Sequence, residues 1–535
     1  MDENLTTPAA DSVVAETHHE PGSPIPARDV GAGASPADSG IAADTAAATP
    51  GSMTPATTPE IAADTPSLDS GEAGTADAAT PELAADTAAS TTSDLAADTA
   101  ASTTSDLAAD TAASTPAPVL DLNSLQKMSG EELKSMARKF HLHFSPGRTT
   151  HQQILDLARE ALNHGGTVTT EGLFDKTSES FSTLRWPALN FLSVPEDVCV
   201  PRAIVDQFHL RPGHLLSGTV RLPRDREKGL MLDQVTSIEG EPPEKWTEPP
   251  DFDKLTPQFP QGRIILENPK TNSISARAVD LLAPLGRGQR GLIVAPPRVG
   301  KTILLKEIAR AIRANYPEIV LIMLLVDERP EEVTDLEREI DCQIYHSNFD
   351  ETVHRHVEVA EMVLERAKRL VEMKKDVVIL LDSITRLSRG YNKMQPTKGR
   401  TMTGGVESKA LTKPKKFFGS ARNVEEGGSL TVLATALTET GSRMDQLIFE
   451  EFKGTGNMEL HLDRALQEKR LYPAIHPMLS ATRREELLYH PDEWERVLLL
   501  RKTMADLPPL EAMERLIENL QATKTNAELL LMGLK

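Results

Sequence analysis

Three apolar runs in the second half of the chain each end on polar groups, and each leads into a helical stretch. "GLIVAPPRVGKTILL" (291–305) reads as a strand, a Pro/Gly turn and a Gly-Lys-Thr that opens a helix. "EIVLIMLLVDE" ends on Asp327 and Glu328, and "DVVILLDS" ends on Asp382 and Ser383. "GSLTVLATAL" supplies a further strand. Between them, "ETVHRHVEVAEMVLERAKRLVEMKK" sets Val353, Val357, Ala360, Val363, Leu364, Ala367 and Leu370 on one helical side. Continuous apolar strands alternating with helices predict a parallel sheet covered on both faces. In such sheets ligands sit at the carboxyl ends of the strands, where these polar groups fall.

The chemistry at that edge is phosphate chemistry. A phosphate loop needs backbone N–H groups and a helix N-terminus facing the anion. Lys301 would reach the β- and γ-phosphates, and Thr302 would hold Mg²⁺. Asp382 suits the carboxylate that orients Mg²⁺, and Glu328 suits the base that polarises an attacking water. Arg298 adds positive charge beside them. The plainer alternative is that Glu328 and Asp382 only cap helices or pair with Arg329 and Arg386. A Gly-Lys-Thr alone is weak evidence. After a strand, with two later strands ending in acids, it is specific. The usual first glycine of the loop is Ala295 here. The 14 histidines show no metal-ligand spacing.

The rest of the chain is read by composition and period. The net charge is −21, but residues 1–118 hold 19 acids and one base (Arg28), or −18. That leaves −3 on the other 417 residues, so the acidic total does not exclude an anionic partner. Residues 1–118 lack Phe, Trp and Tyr and repeat "LAADTAASTTSD" from Leu83, Leu95 and, partially, Leu107. One Leu per period offers too little apolar surface to offset ordering entropy, which predicts a disordered acidic tail. Over 119–167 a helical unit is expected, with capping boxes at Ser129/Glu132 and Thr150/Gln153. Over 168–240 short strands such as "SFSTLR", "DVCVP", "LLSGTVRLP" and "GLMLDQV" suggest a small barrel. A Pro-rich linker follows over 241–262, then the α/β domain over 263–535. Two cysteines, no signal-peptide pattern and no bilayer-length apolar run predict a soluble cytoplasmic protein without a membrane partner.

Several stretches of the α/β domain carry a resemblance: "GRGQRGLIVAPPRVGKT", "VDERPEEVTDLER", "LLDSITRLSRGYN", "TMTGGVESKAL", "FFGSARNVEEGGSLTVLATAL" and "EEFKGTGNMELHLDRAL". They closely resemble the motor domain of the transcription termination factor Rho family, a RecA-like hexameric ATPase. That family's loop also begins Ala-Pro-Pro, so Ala295 does not imply a dead site. The resemblance implies an α/β RecA-like motor preceded by a small helical unit and an OB/cold-shock-type barrel. It implies that Gly286, Arg287, Gly288, Gln289, Arg290 and Gly291, with Arg298, Val299, Gly300, Lys301, Thr302 and Ile303, surround ATP. Glu328 would be the catalytic base, with Arg329 beside the phosphates, Asp382 in the Mg²⁺ site and Arg386 near the γ-phosphate. Tyr472 would pack on the adenine. Arg483 matches an arginine finger that reaches a neighbour's site, within a segment where His476, Pro477 and Met478 depart from the family. Two channel loops would carry RNA, through Arg400, Thr401, Gly404 and Gly405 on one and Arg443 on the other. Implied partners are single-stranded RNA, RNA polymerase with its elongation complex, and five further copies in a ring.

The resemblance weakens in the barrel. The family shows Gly-Phe-Gly-Phe-Leu-Arg where this chain has "SFSTLR". Phe181 and Arg185 remain, while three aromatic positions are Thr183, Cys199 and Gly229. A base–aromatic stack contributes roughly 1–3 kcal/mol, so weaker or altered base preference is expected. Trp186 and Phe191 either replace the missing rings or belong to the core. Two other readings are open. A rotary or export ATPase subunit would lack the "TMTGG" loop, and a non-motor RNA-binding regulator would not need Lys301, Glu328, Asp382 and Arg483 intact.

Overall fold

The computed structural model describes residues 119–534 except 179–181, 226, 228, 397–400 and 403, with Thr401 and Met402 described in backbone only. The repeat-bearing tail, Phe181 and Arg400 therefore lie outside the described residues.

The first module joins two helices to a five-stranded sheet. Helix Gly130–Lys139 is opened by the expected Ser129/Glu132 capping box. Helix Thr150–Asn163 is opened one residue earlier than expected, by Thr149 with Gln152. Thr149-Thr150 and Gln152-Gln153 offer the same spacing twice, so only packing selects between them. The selected frame buries His151, Ile154, Leu155, Leu157, Ala158 and Ala161. The longest strand, Thr167–Lys176, organises the sheet. One edge pairs antiparallel with Leu215–Arg221, which in turn pairs with Met231–Ile238. The other edge takes Val119–Asp121 in parallel, then Ser182–Arg185 antiparallel. The strand expected at "DVCVP" is reduced to Cys199, which bridges Thr183 on one side and Met231 on the other. Pro195 and Pro201 flank that stretch and lack the N–H a longer ladder requires.

Residues 241–262 differ from the expected linker because they pack against the motor. Phe252 is wholly buried, and its N–H donates to Glu372 at 2.6 Å. Pro257–Gln258 then pairs antiparallel with Arg422–Val424 at the rim of the large sheet, an edge position that tolerates proline. The module is also anchored directly. Phe191 stacks on Tyr345 with ring centroids 4.5 Å apart, Arg366 pairs with Glu239 at 2.6 Å, and Arg211 pairs with Glu372 at 3.0 Å. Phe191 is thus a wedge against the motor. Trp186 is 1% exposed and belongs to the module core.

The motor sheet holds six parallel strands in the order Gln343–Asn348, Val320–Glu328, Asp376–Asp382, Ser429–Leu437, Arg290–Ala295 and Met458–His461. Ala481–Thr482 adds antiparallel to the last. Alternate residues serve two cores. Ile293, Met323, Leu325 and Leu380 pack with helices Lys301–Asn315 and Pro330–Glu339. Leu292, Ile322, Leu324 and Ile379 pack with helices Val353–Glu372 and Ile384–Lys393. Helices therefore cover both faces, as the apolar runs predicted. Among the described residues no helix is long and apolar enough to cross a membrane.

The turn ahead of the phosphate-loop strand is tightly enclosed. Gly288 has φ +87° and donates its N–H to Thr431 Oγ1 at 2.9 Å. A Cβ there would collide with the backbone of Asn423. Gly288→Ala is expected to cost about 2–4 kcal/mol from left-handed strain plus overpacking. Urea unfolding of the full chain measures it, and an unchanged midpoint contradicts this account.

Candidate functional site

Strand Arg290–Ala295 runs into the loop 296–300 and then helix Lys301–Asn315. Arg298 (φ +70°) and Gly300 (φ +91°) are both left-handed, which coils the loop's backbone around the helix N-terminus. Lys301 occupies the first helical position. A cation there opposes the helix dipole, which favours anions at that end. Its placement is explained by what faces it. Lys301 Nζ lies 2.5 Å from Asp382 Oδ2 and 3.4 Å from both Glu328 Oε1 and Thr302 Oγ1. Asp382 Oδ1 accepts from Thr435 Oγ1 at 2.7 Å, so the neighbouring strand orients the carboxylate. Arg386 Nη1 reaches Glu328 Oε2 at 3.3 Å. The pairing that the plainer reading foresaw is real, but it gathers Lys301, Thr302, Glu328, Asp382 and Arg386 at one point.

A bulge brings Glu328 there. The ladder to Gln343–Asn348 steps from Val326 to Glu328, leaving Asp327 as an extra residue with φ +59°. Leu321, Met323 and Leu325 face the core of the phosphate-loop helix, whereas Ile322, Leu324 and Val326 face the opposite core. Plain alternation would send Glu328 after Val326, away from Lys301. The extra residue re-aims it, and Asp tolerates the left-handed conformation. Glu328 is 3% exposed. Burial pushes its carboxyl pKa up, and the Asp382 charge adds to that while Lys301 and Arg386 oppose it. Burial works against the Lys301 charge too, but Asp382 and Glu328 outweigh it and its pKa is raised.

Tyr472, half exposed, stands across from Gly300 and Ile303. With Val299, Leu304, Leu462 and Pro473 they line a cavity of about 140 Å³ beside the loop, a slot with apolar walls. Arg329 is exposed at the start of helix Pro330–Glu339. The turn 286–291 is placed differently. It lies at the other end of strand Arg290–Ala295, in the body of the sheet. Arg287 pairs with Asp376, and Gln289 is fully buried against Asn457. Within one chain it does not meet the phosphate loop. Arg483 is at that same far end, exposed, in a cavity of about 710 Å³ shared with Arg290 and Arg484.

The two expected RNA loops are brought together. Thr401–Met402 and Val406–Glu407 form a hairpin whose tip is Gly404 (φ +91°) and Gly405 (φ +79°). A Cβ on Gly404 would lie 3.1 Å from the Arg443 carbonyl, so the hairpin rests on the start of helix Arg443–Lys453. Arg443 is exposed there, again a cation at a helix N-terminus. Helix Ile384–Lys393 ties these loops to the nucleotide edge. Arg386 reaches Glu328, Arg389 grips buried Asp445 at 2.8 and 2.5 Å, and Asn392 bonds Gly405 O and Glu407 N at 3.1 and 2.8 Å. Sequence reading missed Arg389, Asn392 and Thr435. The only signal for Arg389 and Asn392 was the i, i+3, i+6 spacing of 386, 389 and 392 on one helix; Thr435, inside strand Ser429–Leu437, had none.

In the first module Arg185 is 3% exposed, held by Asp197 at 2.5 Å and Asp175 at 3.0 Å. Thr183 and Cys199 are buried. The Cys199 thiol is pushed up to about 11 by burial, helped by Asp197 and Glu227. A Cβ on Gly229 would approach Asp197 O to 3.0 Å, so no side chain fits there without movement. No described aromatic between 119 and 240 is exposed.

Lys301 is the only cation within 3.5 Å of both buried carboxylates among the described residues. Lys301→Met removes it, and the Glu328 carboxyl, already raised by burial, loses the cation that opposes that rise. A carboxyl raised on folding costs stability as pH climbs above its unfolded value. The loss is therefore expected to reach about 3–5 kcal/mol near pH ~8 and to be smaller near pH ~5, where protons replace the lysine. Urea unfolding at both pH values tests this.

Residues 170–244 match the model of the Rho termination factor RNA-binding domain, and 275–482 match the nucleotide-binding domain of the ATP synthase alpha/beta family. The transcription termination factor Rho of Akkermansia muciniphila is 49% identical over 422 residues, covering 78% of this chain and 89% of that protein. That of Aquifex aeolicus is 48% identical over 410 residues, covering 76% and 94%. That of Bacillus subtilis is likewise 48% identical over 410 residues, covering 76% and 95%. Nearly half the residues agree along nearly the whole length of these relatives, and the chain belongs to the transcription termination factor Rho family.

Proposed function

We propose that this chain is an RNA-dependent ATPase that loads on nascent RNA, moves along it 5′ to 3′, unwinds RNA–DNA hybrid and terminates transcription by releasing RNA from the polymerase. The observation that carries this is helix Ile384–Lys393, whose Arg386, Arg389 and Asn392 contact the hydrolytic carboxylate and both RNA loops. A single rigid element touching both sites can couple them.

The ATP phosphates take the place of Asp382 and Glu328 as partners of Lys301. Glu328 orients the attacking water and accepts its proton, a task suited to a carboxyl whose pKa burial raises. Arg386 steadies Glu328 and the γ-phosphate. Tyr472 covers the adenine, with Val299 and Ile303 as the apolar wall. Thr302 and Asp382 are hard oxygen donors around one point and fit Mg²⁺, which takes few protein ligands and shares the phosphates. A Mg²⁺ ion held there by Thr302 and Asp382 would neutralise phosphate charge. Arg483, at the far end of the sheet from its own loop, acts on a neighbour's ATP, which makes the active form a closed ring, a homohexamer by family resemblance. This places the turn 286–291 beside a neighbouring subunit's nucleotide. Arg400, Thr401 and Arg443 contact the RNA backbone in the channel. A cytoplasmic location follows from the transcript and polymerase it serves.

ATP hydrolysis with and without single-stranded RNA tests the reading. RNA-stimulated turnover that Glu328→Gln abolishes is expected. Arg389→Ala should keep RNA-independent turnover while losing roughly 5–150-fold of the stimulation, the range of typical coupling free energies. Turnover indifferent to RNA in the parent chain contradicts the proposal. Because Arg185 is buried and no described ring of the first module is exposed, pyrimidine selectivity should be weak. Competition of C-rich against A-rich oligonucleotides for the full chain measures it, and strong pyrimidine preference refutes the expectation.

A further inference from the structure

The far end of the sheet contains a part-buried polar lock whose purpose the nucleotide site does not explain. Asn457 immediately precedes strand Met458–His461. Its carbonyl accepts the Arg483 N–H at 2.8 Å, and its own N–H donates to Arg290 O at 2.9 Å. Its side-chain Oδ1 accepts from the Arg290 N–H at 2.8 Å and from Gln289 Nε2 at 2.7 Å. Gln289 is fully buried, and its Oε1 accepts the Gly286 N–H at 3.3 Å. One asparagine thus joins three segments: the turn 286–290, the strand at 458 and the backbone from which the Arg483 side chain leaves.

What this lock holds is an unpaired cation. Arg483 is exposed and has no ion-pair partner among the described residues. The chain turns sharply just after it, where Arg484 takes φ +57° and its guanidinium lies 4.4 Å over the Phe259 ring. Arg290, next in the cavity, is fixed through its guanidinium to the Thr455 and Ala421 carbonyls. A long, flexible arginine aimed across a subunit boundary is only as accurate as its backbone origin. Here that origin is hydrogen-bonded to a residue whose side chain is itself fixed twice.

We infer that Asn457 is a positioning residue for Arg483, setting the direction from which the arginine enters the adjacent subunit's ATP site. This rests on the proposed role of Arg483 in trans. Asn457 does not touch its own phosphate loop, which lies at the opposite end of strand Arg290–Ala295.

The test uses full-length rings, with assembly checked by sedimentation. Asn457→Ala is expected to lower kcat by about 10²-fold, the scale of a misplacement of about 1 Å, with KM for ATP unchanged. Rings mixed from Asn457→Ala and Glu328→Gln subunits should hydrolyse ATP faster than either parent ring, because an intact site next to a Glu328→Gln subunit receives a well-held Arg483. A purely structural role acting within one subunit gives no such complementation. Arg483→Ala mixed with Glu328→Gln is the control. If the control complements and Asn457→Ala does not, the positioning role is overturned and the trans role stands. If neither complements, both are overturned. Asn457→Ser, which keeps a short acceptor, replaces the alanine variant if the latter does not assemble.

Discussion

One lysine between two buried carboxylates organises the motor. Lys301 Nζ sits within 3.4 Å of Glu328 and within 2.5 Å of Asp382, at the ends of two different strands and the start of one helix. Desolvating three charges is costly unless they satisfy one another. The sheet order places Ser429–Leu437 beside Asp376–Asp382, where Thr435 can hold Asp382. The cluster is a network in which each of the three charges meets an opposite one.

Arg386 extends that electrostatic centre outward. It contacts Glu328 from the first turn of helix Ile384–Lys393, and the later turns of the helix hold Asp445 and the glycine hairpin. A change in what Glu328 faces is therefore felt by a helix whose other contacts are the two loops bearing Arg443 and Gly404. The second core, built on helix Val353–Glu372, supports this helix from behind and also receives the first module through Phe191, Arg211 and Glu239. The RNA-binding module is thus docked on the same helix layer that backs helix Ile384–Lys393.

The module uses in its own packing several positions where the sequence departs from the family pattern. Arg185 is used inside the fold, between Asp175 and Asp197, and Gly229 and Cys199 occupy tight positions where rings would need space.

Much of the motor was legible in the sequence by itself. Apolar runs ending on Asp382 and Glu328, with Gly300-Lys301-Thr302 opening a helix, dictate a parallel sheet with phosphate chemistry at one edge, because burial on both faces demands continuous apolar strands. The Ser129/Glu132 cap was readable for the same local reason. What only the tertiary structure decided were matters of register and distance. The bulge at Asp327 turns Glu328 toward Lys301, a step of one residue that hydrophobic alternation cannot reveal. The choice of Thr149 over Thr150 depended on which frame buries His151 and Leu155. The packing of 241–262, the burial of Arg185 and the far-end position of the turn 286–291 all depend on segments distant in sequence meeting in space. Local composition constrains elements through short-range sterics and burial, whereas these placements arise from long-range pairing that the chain adopts only when its sheets are assembled.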